Sequence, residues 1–135
     1  LRVDVRGKRV LLKPNLVEFE PGTVINTHPH VVVGAAIAFR RAGAREVIVA
    51  EGPGHRRDVE YLLQSTGMLR LLASERVPFV DLNHDDVHAV ALRSWFTGLR
   101  ELALPRAVLD TDVIVSIPKL KTHHWAGITC SMKNF

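Results

Sequence analysis

Lys119, Lys121, His123 and Lys133 stand close together near the end of the chain. Lysine offers a point charge to a carboxylate or phosphate, and histidine titrates near neutral pH. Together they describe an anion clamp with a proton-transfer group beside it. His123 and Lys133 are the candidate catalytic pair. Lys119 and Lys121 are the candidate anion holders, with Thr122, Gly127 and Thr129 in the same stretch as further ligand contacts. From Val113 onward the chain has no Asp or Glu to neutralise these cations. A basic loop that simply faces water is the competing explanation. His-His-Trp-Ala-Gly-Ile-Thr, residues 123–129, is a poor composition for a mere surface turn.

The elements before this stretch decide where it sits. Val113–Ile117 is an apolar run that reads as a buried core strand. The lysines therefore follow a strand end, which is where open α/β folds place ligands. From Ala126 the chain reads as the start of a helix, whose free amides would add to anion binding. Arg9–Lys13 reads as a strand stopped by Pro14. A long loop follows, and loops of that length are often functional. Pro29 suits the first helical position, with His28 as N-cap and Gly43 past the helix end. Val31 to Phe39 is apolar nearly all round, so that helix is expected to be well buried.

Glu46–Ala50 reads as the second strand, and Glu51-Gly-Pro-Gly-His55 as a glycine-rich turn at its exit. Asp58 caps a helix to about Gln64, Gly67 breaks it, and Met68–Ser74 is helical again. Val77–Asp81 reads as the third strand and Asn83–Asp86 as a polar turn. Val87–Leu92 and Leu99–Leu104 form an expected antiparallel pair around Trp95-Phe96, and Pro105–Asp110 a short helix. Strand alternating with helix predicts an α/β fold of three layers, a mostly parallel sheet with helices on both faces, Rossmann-like. Its strand ends bring Lys13, Asn15 and Glu51 to the rim of the basic stretch.

Other constellations carry less. The turn after the second strand lacks the G-x-G-x-x-G spacing of a dinucleotide fingerprint. His28 and His30 read as a helix cap and a surface residue. His84 and His88, with Asp85 and Asp86, read as a solvated turn. Cys130 reads as a small buried residue. No metal site is expected. The single cysteine excludes an internal disulfide and cannot hold an iron–sulfur cluster, which normally takes about four thiolates.

The chain has 135 residues and a net charge of +4. That length supports one domain over residues 1–135. No apolar run approaches the ~20 residues that span a membrane. Cysteine scarcity makes the cytoplasm the default expectation. Thirteen arginines against five lysines are scattered without an aromatic stripe, so nucleic-acid binding is the weaker of the readings a basic chain permits. Both ends look cut, and the chain is expected to be a fragment of a longer protein.

Lys13-Pro-Asn-Leu16, Thr27-His-Pro29, Val49-Ala-Glu-Gly-Pro-Gly54, Asp112 through His123, Gly127-Ile-Thr and Met132-Lys-Asn134 together resemble the domain of unknown function 362 family. The resemblance runs in order over nearly the whole chain. Many members resemble iron–sulfur proteins through an attached ferredoxin-like module with its own cysteines. It implies an alternative role here, as the accessory domain of an electron-transfer protein whose [4Fe-4S] module lies outside this chain. His28 stands where the family pattern has Asp.

His123 through Lys133 is also similar to a segment of nickel-pincer lactate racemases. There the histidine transfers a proton and the lysine carries a nicotinate-derived pincer. That similarity implies racemase-like proton transfer next to a carboxylate. Cys130-Ser131 replaces the double glycine of that segment and would crowd a bulky cofactor. The expected partner is a small anionic metabolite or cofactor, its identity open.

Overall fold

The computed structural model describes residues 3–94, 96–123, 125 and 127–134. Strand β1 (Arg9–Pro14) carries Val10, Leu11 and Leu12, and strand β2 (Glu46–Glu51) carries Val47 to Ala50. All seven are buried. Continuous apolar runs of this kind suit parallel strands covered on both faces. β1 pairs in parallel with β2 on one side and with β6 (Val113–Ile117) on the other. β2 pairs in parallel with β3 (Phe79–Asp81), giving a four-stranded sheet in the order β3-β2-β1-β6. The strand order reverses at the β1–β6 junction, which is where a crevice opens at the strand C-terminal ends of such sheets.

Side chains alternate between the two faces. Val10, Leu12, Val47 and Val49 pack with residues of α1 (Pro29–Arg41), α2 (Val59–Ser65) and α3 (Met68–Ser74). Leu11, Ile48 and Ala50 face the other way and meet Ala107 and Val108 of α4 (Arg106–Leu109). The result is an α/β domain whose parallel sheet is flanked by helices. Each fully buried Leu, Ile or Val side chain contributes about 1.5–3 kcal/mol relative to exposure.

The helix boundaries follow local chemistry. His28 Nδ1 accepts from the His30 amide at 3.3 Å, with Pro29 just inside the helix, and Gly43 lies past its end at φ +92°. Asp58 caps α2 by accepting from the Tyr61 amide at 2.9 Å. Strands β4 (Val87–Ala91) and β5 (Glu101–Pro105) form the expected antiparallel pair. Trp95, expected at its turn, lies outside the described residues.

Three expectations need correction. Helix α1 is not buried all round: Val32, Val33 and Ala36 are buried while Val31 is 55% exposed. One face meets the sheet and the other meets water. β6 is not a core strand; it lies at the sheet edge and none of its residues is fully buried. Third, among the described residues no α-helix follows residue 126. β7 (Lys121–His123) and β8 (Gly127–Thr129) pair as a hairpin, and a single 3-10 turn (Ser131–Asn134) comes after it. Gly127 sits at φ +68°, a left-handed conformation that a helix start does not use and that glycine adopts without strain. Among the described residues no helix is long and apolar enough to cross a membrane.

Candidate functional site

The long β1–α1 loop is held, not loose. Asn26 Oδ1 accepts from the Val17 amide at 2.7 Å and its Nδ2 donates to the Glu18 carbonyl at 2.8 Å. Thr27, buried at 3% exposure, does more. Its hydroxyl accepts from the Asn15 amide at 2.9 Å and donates to the Ile117 carbonyl at 2.7 Å. One side chain thus ties the end of β1 to the end of β6. Asn134 makes a second tie: its Nδ2 donates to the Lys13 carbonyl at 2.9 Å and to Ser116 Oγ at 3.1 Å. The Lys13 carbonyl can only accept, so it fixes which end of the amide faces it. Neither Thr27 nor Asn134 was expected as a site residue. Their partners lie 90 and 121 positions away, so no local pattern exposes the link.

These ties swing the hairpin and the 3-10 turn across the β1–β6 junction. Lys121 Nζ donates to the Ile25 carbonyl at 3.3 Å. Thr129, opposite Lys121 in the hairpin, is buried at 7% exposure. Gly127 lies opposite His123, and Thr122 faces outward opposite Ile128. His123 Nδ1 accepts from the Trp125 amide at 3.2 Å, and His123 Nε2 lies 3.0 Å from Lys133 Nζ. His123 and Lys133 thus lie side by side at the end of the chain.

The charges divide into two groups. Lys13 Nζ meets Glu51 Oε1 at 2.5 Å, with side chains 16% and 5% exposed. Glu51 Oε1 also accepts from the Gly52 amide at 2.9 Å. This pair is neutralised internally. Lys119, Lys121 and Lys133 form no ion pair with a carboxylate of a described residue. Burial, with Lys133 and Lys119 nearby, holds Lys121 below the usual lysine range, against a smaller opposing pull from Glu18. Among the described residues no donor reaches Asn15 Oδ1 or Asn134 Oδ1, both buried at this junction, a local cost that most folds avoid. A cavity of about 300 Å³ borders the cluster through Ile25, with Glu18, Asn26, Thr27 and Thr66 in its wall.

A family model described as Domain of unknown function (DUF362) matches residues 10–135. The chain belongs to the DUF362 family. Among curated proteins, the Thylakoid-associated protein sll1697 of Synechocystis sp. (strain ATCC 27184 / PCC 6803 / Kazusa) is 33% identical over 131 residues. The match covers 95% of this chain and 38% of that relative, so the chain spans well under half the length of the relative. No solved structure matches the chain.

The segments that carry the DUF362 resemblance converge in space. Lys13, Asn15, Thr27, Glu51 and Asn134 are joined through the hydrogen bonds above, all at the strand ends. Among the described residues no three His, Cys, Asp or Glu side chains gather to hold a metal. Cys130 and Ser131, 3.8 Å apart between Sγ and Oγ, put side chains where the racemase segment has glycines.

Proposed function

We propose that this DUF362 domain, Rossmann-like in its strand order, binds a small anionic metabolite or cofactor at the β1–β6 junction. Lys119 and Lys121 hold the negative group, with Thr122, Gly127 and Thr129 in the hairpin that presents them. Lys13, Asn15 and Glu51 form the floor. His123 and Lys133 move a proton on the ligand, in the manner of proton abstraction beside a carboxylate. One observation carries this reading. Lys121 is partly buried beside Lys133 and Lys119, feels only a distant pull from Glu18, and among the described residues forms no ion pair, near the end of the sheet where the strand order reverses. A cation kept there at a cost in self-repulsion gains most from a negative guest.

A thermal-shift screen of small carboxylates and phosphates tests it, using the wild type and Lys121→Ala. At least one anion is expected to raise the wild-type melting temperature and to leave the variant unmoved. Identical profiles would contradict the reading. The name of the curated relative speaks to where that protein resides and brings no chemistry to this pocket. The alternative role, as the accessory domain of an iron–sulfur protein, would place the cluster's cysteines outside this chain.

A further inference from the structure

The two edges of the parallel sheet differ. β3 is three residues long, follows Pro78 and ends on Asp81. Short length, proline and charge are the devices that keep a sheet edge from pairing with another chain. β6 has none of them: its five residues, Val-Ile-Val-Ser-Ile, carry neither charge nor proline. It ends the strand order β3-β2-β1-β6, so among the described residues no strand pairs with its outer side. The Asp112 amide donates to the Arg9 carbonyl of β1 at 3.1 Å. Successive amides along a strand point to opposite sides, so those of Val113 and Val115 face away from the sheet. The surface beside this edge is apolar too. A groove of about 530 Å³ runs between β6 and α1, with Val3, Phe39, Val113 and Val115 in its wall. Val3 is 52% exposed, and Ile114, on the opposite face of the strand, is 42% exposed.

We propose that β6 is a dimerisation edge: two copies of this chain pair their β6 strands antiparallel about a two-fold axis and join their four-stranded sheets into one. Charge selects a second copy as the occupant. Asp110 and Asp112 precede β6 and Lys119 follows it. Asp110 is exposed, and Asp112 Oδ2 accepts from the Arg9 amide at 2.7 Å. Antiparallel self-pairing sets the acidic end of one copy beside the basic end of the other. Parallel self-pairing would set like beside like. A two-fold contact needs a self-complementary surface, and a neutral apolar strand with opposite charges at its two ends meets that need. An axis perpendicular to the sheet keeps both α1 faces on the same side. The two apolar grooves then meet at the axis, and Val3 and Phe39 of each copy lose water there. The strand ladder gives the affinity of main-chain hydrogen bonds and the grooves add apolar area. This surface is separate from the anion site, which lies past the C-terminal end of the same strand.

Sedimentation velocity of the chain across the micromolar range tests the inference. The apparent mass is expected to rise about twofold with concentration. Amide exchange at Val113 and Val115, followed by NMR, is expected to slow over the same range, while exchange at Ile128 stays constant. Ile114→Lys puts like charges close to the axis and is expected to leave a monomer, with circular dichroism reporting its fold. Val3→Asp, outside every strand, is expected to weaken the dimer several-fold without touching the sheet, and Asp110→Lys to do the same. Ile128→Lys, on the exposed hairpin, is expected to leave the dimer intact. A monomer at every concentration would overturn the proposal and give the edge to another partner. A dimer that dissociates in Ile128→Lys but survives Val3→Asp would overturn it too, by putting the contact on the hairpin. So would unchanged affinity in Asp110→Lys, which would remove the antiparallel arrangement.

Discussion

Lys13 and Glu51 face each other across the ends of β1 and β2, with Nζ and Oε1 2.5 Å apart and both side chains largely buried. Each charge compensates the other in a largely buried setting. Replacing Glu51 by Gln or Lys13 by Met leaves a buried charge without its partner, a loss of about 3–5 kcal/mol by comparison with other buried pairs. The double replacement Lys13→Met/Glu51→Leu is expected to recover much of that. Urea unfolding of the two single variants and the double variant measures the coupling. Additive losses would show that the pair is not a unit.

Thr27 joins three chain segments through one hydroxyl. Thr27→Val keeps the shape and removes the hydroxyl, leaving the Ile117 carbonyl and the Asn15 amide short of a partner. The expected loss is about 1–3 kcal/mol, with Thr27→Ser close to wild type. Chemical denaturation checks both. Equal losses in the two variants would point to the methyl group instead.

Asn134 pins the 3-10 turn to the sheet through the Lys13 carbonyl and Ser116 Oγ. Asn134→Ala is expected to cost about 1–2 kcal/mol and to release the Lys133 backbone. The melting temperature reports the first effect. Loss of the anion-induced rise in melting temperature reports the second. An unchanged rise in a destabilised variant would separate Asn134 from the site.

Lys121 lies below the usual lysine range because of burial first and the neighbouring lysines second. A lowered folded value means that the native state binds fewer protons at Lys121 than the unfolded chain once pH climbs past that value. The penalty for its buried charge is then relieved, so stability contributed at this position rises between the folded value and the unfolded 10.5. Anion affinity moves the opposite way, because the charge that holds the anion is lost. Binding is expected to weaken below pH 10.5, earlier than an ordinary lysine would allow. Titration calorimetry with a small carboxylate at several pH values checks the sign. Affinity that stays level up to that pH would contradict it.

These ties also explain what sequence could and could not reveal. Elements defined by local signals were legible: the His28 and Asp58 caps, the Gly43 and Gly67 breaks, and the continuous apolar runs of β1 and β2. The β7–β8 hairpin was not, because Gly127 at positive φ and a three-residue register are tertiary outcomes that a helix-like composition from residue 126 conceals. The edge position of β6 was hidden as well, since an apolar pentapeptide reads alike in the centre or at the border of a sheet. At the candidate site, the charge imbalance after Val113 and the His123–Lys133 pair were visible in the residue types. The neutralisation of Lys13 by Glu51 and the bracing by Thr27 and Asn134 depend on partners far away in the chain.

The proposed function depends on a small anion sitting where β1 and β6 part, held by Lys121 and its neighbours. The most direct measurement is two-dimensional NMR of the labelled protein during titration with a small carboxylate such as pyruvate. Saturable shifts are predicted at Asn15, Lys121, His123, Thr129 and Lys133, and their absence in Lys121→Ala. Shifts confined to the apolar groove of Val5, Phe39, Val113 and Val115 beside β6, or no saturable shift at all, would contradict the account.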